Sequence, residues 1–165
     1  MSQANFRSTS AAMVLCITMM LAANVGAQQT FRESMEQAQT LIRSGVRQIL
    51  RDELLLTEEE SETFWPLYDE YSAELADVSK NYVSVMVEFV DLYQAGDLDN
   101  DNSIRLLDDS LKMQMSVMET RQNYLPRFRE ILPGVKVVRF YQLENKVRAE
   151  VDAALALAIP LADPR

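Results

Sequence analysis

Apolar side chains recur at alternating intervals of four and three residues in segment after segment of this 165-residue chain. That spacing places them on one continuous stripe of a helix and calls for partner helices to cover it. The first segment carries Phe31, Met35, Ala38, Ile42, Gly45 and Ile49. The second carries Phe64, Tyr68, Tyr71, Leu75, Val78, Tyr82, Val85, Phe89 and Leu92 without a break. No stretch alternates with period two, so no strand is expected. The pattern predicts an all-α chain of antiparallel long-helix hairpins, about four helices in a small bundle.

The helix ends are also written in the sequence. Thr57-Glu58-Glu59-Glu60 reads as a capping box, in which the Thr57 hydroxyl and the Glu60 carboxylate satisfy each other's backbone N–H groups. Glu58, Glu59 and Glu62 add negative charge where the helix dipole favours it. Pro66 falls about two turns in, where a lost hydrogen bond predicts a kink or restart. Gly96 closes this helix, and the polar run 97–103 (DLDNDNS) is a turn rich in capping residues. A third helix is expected over about 103–131 with a bend near Pro126. A fourth starts around Pro133 and Gly134, with Phe140, Leu143, Val147, Val151, Ala154 and Ala158 on its stripe, and stops at Pro160.

The third helix carries two apolar lines. One is Ile104, Leu107, Leu111, Met115, Met118, Leu125 and Leu132; the other, on a nearly opposite face, is Leu106, Met113, Val117, Tyr124, Phe128 and Ile131. Two readings are open: a central helix buried on both sides, or a helix whose second line is a dimer seam or an adaptable surface for partners. Methionine suits the second reading, because its unbranched thioether repacks around varied shapes.

Composition removes whole classes of chemistry. The chain has no histidine, which excludes Ser-His-Asp and Cys-His nucleophiles, zinc-protease motifs and His-ligated haem. Four scattered glycines make no phosphate-cradling loop. Met113, Met115 and Met118 could offer thioethers to Cu(I), but their helical spacing is explained by packing. Glu70 with Glu74, and Glu58 with Glu62, are read as solvated helix faces, and Trp65, Tyr68, Tyr71 and Tyr82 as core. No cofactor, metal or catalytic residue is expected.

Arg7, then an apolar run over residues 11–23, then Asn24-Val25-Gly26-Ala27, has the order of a cleavable secretory leader. The run is too short to span a bilayer. The expected division is 1–27 as signal peptide and 28–165 as a single helical domain, exported to the periplasm. Cys16, the only cysteine, leaves with the leader, and the mature chain then has 15 basic against 25 acidic side chains, a net charge of −10 in place of −9. Such acidity opposes binding to nucleic acid and to anionic lipid.

Leu56-Thr57-x-x-Glu60 at the start of a long helix in a small exported chain resembles the Spy/CpxP family of periplasmic proteins, whose LTxxQ motif opens helices twice. Glu for Gln keeps the capping box. The second motif position, Ile131-Leu132-Pro133-Gly134-Val135-Lys136, is degenerate, with Pro133 for Thr and Lys136 for Gln. The resemblance implies bent helical hairpins that pair into cradle-shaped homodimers. It also implies ATP-independent chaperoning of unfolded or membrane-associated envelope proteins, or regulation of an inner-membrane signalling protein. The family's metal-sensing branch relies on histidine, which this chain lacks. The expectation is a binding protein and not an enzyme.

Overall fold

The computed structural model describes residues 27–163, with side chains described at residues 33 and 37 and over 40–163. The leader expected over 1–27 lies, but for Ala27, outside the described residues, as do the side chains of Phe31, Met35 and Ala38. Four helices follow one another: α1 Ala27–Glu53, α2 Glu58–Ala95, α3 Asn100–Ile131 and α4 Gly134–Ala158. Each packs on the next, and α1 closes the ring against α4. The α2–α3 hairpin makes the most extensive contact. At 1.5 Å per residue its arms are about 57 and 48 Å long.

The caps follow the side-chain chemistry. Glu60 N–H donates to Thr57 Oγ1 at 3.2 Å, and Thr57 N–H donates to Glu60 Oε2 at 2.8 Å. Gly96 ends α2 in the left-handed region at φ 74°, its N–H reaching the Tyr93 carbonyl. Asp99, within the polar turn, caps α3 by accepting from Asn102 N–H at 2.7 Å. Helix α2 continues through Pro66 without restarting, and α3 continues through Pro126. Both prolines are exposed, and the core residues Phe64 and Leu67 beside Pro66, and Tyr124 and Phe128 beside Pro126, hold the helix on either side of the lost backbone hydrogen bond.

Proline in place of threonine leaves α4 with no side-chain cap. Lys136, third residue of α4, reaches instead across to Glu60, third residue of α2, and forms an ion pair with its carboxylate. The lysine hydrogen bond, more than any other contact, holds the Glu60 carboxyl below its ordinary range. Glu60 and Lys136 thus join the starts of α2 and α4. Arg139 adds a second tie at this end, Nη2 lying 3.1 Å from the Glu53 carboxylate at the close of α1.

Large aromatic side chains fill the centre. Phe64, Tyr68 and Tyr71 of α2 meet Tyr124 and Phe128 of α3 and Phe140 of α4, all buried. Phe128 and Phe140 have ring centroids 4.7 Å apart, Tyr71 and Tyr124 5.3 Å, and Phe64 and Phe140 5.5 Å. Such pairs contribute ~1 kcal/mol each beyond the area they bury. Further along α2 the inward face changes to Val83, Met86 and Val87, packed by Leu155 and Ile159 near the end of α4.

A polar knot crosses the same core. Tyr71 Oη donates to Glu144 Oε2 at 2.7 Å, and Arg121 Nη1 stands 3.8 Å from that oxygen. Arg121 Nη2 donates to Asn145 Oδ1 at 2.8 Å, and Tyr141 Oη donates to the Arg121 carbonyl at 2.8 Å. Burial pushes the Glu144 carboxyl above its ordinary range, against the pull of the Tyr71 hydroxyl and of Arg121. Burial likewise lowers Arg148. The knot links α2, α3 and α4 at one level of the bundle.

Candidate docking surface on the third helix

Helix α3 lies antiparallel on α2 and is held there by polar contacts along its length. Arg105 pairs with Glu88, Thr120 Oγ1 donates to Glu74 at 3.2 Å, and Arg127 Nη2 sits 2.5 Å from Glu70 Oε2. Together with the buried rings of Tyr124 and Phe128 they fix one rotation of α3 about its own axis. The glutamates Glu70 and Glu74, read as a solvated face, lie exposed and act as partners for α3 at that face.

That rotation decides between the two apolar lines, and it corrects the sequence reading. Leu106, Tyr124 and Phe128 are buried, and Met113, Val117 and Ile131 are half-buried. The line proposed as partner or dimer surface is the inner face of the helix. Its two aromatic rings belong to the central cluster, and no other position on α3 supplies rings to it. Thr120 and Arg121 share this buried side.

The other line points outward. Ile104 is 61% exposed, Leu107 53%, Leu111 48%, Met115 63%, Met118 53% and Leu125 37%. Only Leu132, beyond the helix end, is buried. From Ile104 to Leu125 the stripe runs for about 30 Å at 1.5 Å per residue. Six large apolar side chains in one row on a helix are not the scattered exposures that any surface has. Asp108, Lys112 and Glu119 border it, all three exposed. Two methionines at its middle give the row a deformable centre.

The capping residues have a structural role. Leu56 packs half-buried on the main core, and Thr57 and Glu60 form the box and the tie to Lys136. Among the described residues no group of three or more histidine, cysteine, aspartate or glutamate side chains is placed to hold a metal ion. No described helix is long and apolar enough to cross a membrane. The outward stripe was missed as a surface because both lines carry the same apolar content; the two rings on the other line are the signal that separates them. Compared with protein-family models, with curated proteins and with solved structures, the chain finds no match in any of the three.

Proposed function

We propose that this chain is an exported Spy/CpxP-like binding protein that captures apolar segments of unfolded or membrane-associated envelope proteins, without ATP, on the outward stripe of α3. The observation that carries the reading is the exposed row Ile104, Leu107, Leu111, Met115 and Met118, resumed at Leu125 one heptad on, past the polar Gln122. An apolar segment laid on this row loses water-exposed surface at about 25 cal/mol per Å², a sum of small gains suited to reversible holding. The acidic surroundings favour clients with basic flanks. The leader over 1–27 supports the location, and the Leu56-Thr57-x-x-Glu60 start supports the family likeness.

Purified mature protein at a few-fold excess is expected to slow aggregation of a chemically unfolded client, followed by light scattering. Leu107→Ser, Leu111→Ser, Met115→Ser and Met118→Ser combined should abolish the effect with helicity unchanged, since none of these side chains is buried. Full protection by that variant, or no protection by the parent, rejects the reading. Crosslinking to one dominant inner-membrane protein, with no effect on aggregation, selects the regulatory role instead.

A homodimer on the same stripe is the second reading, and charge favours it. Antiparallel pairing of two α3 helices centred between Gln114 and Met115 sets Ile104 near Leu125 and Leu111 near Met118. It also sets Lys112 near Glu119, twice by symmetry. Light scattering on the mature chain distinguishes the two: a concentration-dependent doubling of mass, removed by Leu111→Ser, selects the dimer.

A further inference from the structure

At the elbow between α1 and α2, away from the α3 stripe, a cavity of about 280 Å³ is lined by Leu50, Arg51, Leu55, Leu56, Ser61 and Trp65. Leu50 is its buried floor, and Leu56 and Trp65 are half-buried walls. Leu55 stands at the rim, 68% exposed, with its backbone in the left-handed region at φ 54°. That conformation is strained for a residue that carries a side chain. Glycine is the usual residue after a helix end, so here strain holds a large apolar side chain where it gains no burial.

Among the described residues neither polar group of the cavity has a hydrogen-bond or ion-pair partner. The Arg51 guanidinium lies 5.5 Å from the centroid of the Trp65 ring, and no carboxylate pairs with it among the described residues. Arg47 lies over the same ring at 4.7 Å but is already tied to Asp69. The Ser61 hydroxyl has no hydrogen-bond partner among the described residues. The site therefore combines three leucines and an indole with a guanidinium and a hydroxyl that no described side chain pairs.

We propose that this elbow cavity binds a small apolar monocarboxylate, its body against Trp65 and the leucines and its carboxylate on Arg51 and Ser61. A guanidinium presents paired donors that match a carboxylate in a way a neutral amide cannot reproduce. The cavity lies at the small end of ligand sites, which fits an acid the size of one aromatic side chain. Glu58, Glu59 and Glu62, in the first turns of α2, are exposed and do not line the cavity; their charge disfavours a polyanion more than a monoanion.

Trp65 is the only tryptophan of the chain, so its emission reports on this site alone. Titration of the protein with 3-phenylpropionate should give a saturable change in that emission. The neutral 3-phenylpropanamide should bind at least tenfold more weakly. Arg51→Gln should remove this preference with the circular dichroism unchanged, and Leu55→Gly should weaken acid and amide alike by a few fold. Equal binding of acid and amide, or an unaltered preference in Arg51→Gln, overturns the proposal. Tighter binding of a short peptide ending in a free phenylalanine carboxylate overturns the small-molecule occupant in favour of a polypeptide end.

Discussion

Thr57 shows how much one side chain can determine when its chemistry is local. Its hydroxyl and the Glu60 carboxylate close the box expected from four consecutive residues, because both groups act within a single turn. Thr57→Ala should cost about 1 kcal/mol in urea unfolding. Lys136 was legible only as a departure from a motif; its pairing with Glu60 arises because the fold sets two helix starts side by side. Arg121 was not legible at all, since a buried arginine depends on partners far along the chain. Removing its charge by Arg121→Met should cost about 3 kcal/mol at neutral pH, because Glu144 is left buried beside fewer donors. The folded-state carboxyl of Glu144 already lies above its ordinary value, so the folded state binds that proton more readily than the unfolded one. Stability from this group is present at low pH and is lost as pH rises through the folded value. The deficit of Arg121→Met, followed by urea unfolding from pH 7 down to pH 5, should therefore shrink.

Among the elements, helix number and ends were legible because caps, glycine and period are local signals. Gly96 and the break at Pro133 fall where the pattern put them. At Pro66 the helix does not restart, and α3 runs through Pro126 as one element. The facing of α3 was illegible: two apolar lines of equal content can each be core, and the choice rests on which one meets the rings of α2 and α4. Phe128→Ala, which empties the centre of that cluster, should cost about 3–5 kcal/mol in urea unfolding. Met115→Gln on the outward row should change stability by no more than about 0.5 kcal/mol. Equal costs for the two would mean that both lines are covered.

For the whole molecule, the interior contains more tyrosine chemistry than its stripes suggest. Burial is the main cause that raises Tyr68, Tyr71 and Tyr141 above the ordinary phenol range, Tyr141 to about 12. Below the unfolded-state value near 10 both states keep these protons. Above it the unfolded chain ionises first, so stability falls as pH rises from about 10 through the folded values. Tyrosinate absorbance and loss of helicity should therefore rise together in alkali, with no separate early ionisation of these three groups. The elbow cavity and the strained Leu55 belong to this scale as well, because a turn between two packed helices leaves no periodic trace in the sequence.

In the proposed role, the outward row of α3 is the face that holds other polypeptides. Residues 28–165 contain no cysteine, so in that segment a single Met115→Cys variant can carry a polarity-sensitive fluorophore on that row, with Asn81→Cys on exposed α2 as the reference. Addition of an unfolded client should shift the emission of the label at 115 to shorter wavelength and leave the label at 81 unmoved. A shift at 81 alone, or none at 115 under conditions where aggregation is suppressed, would contradict the account.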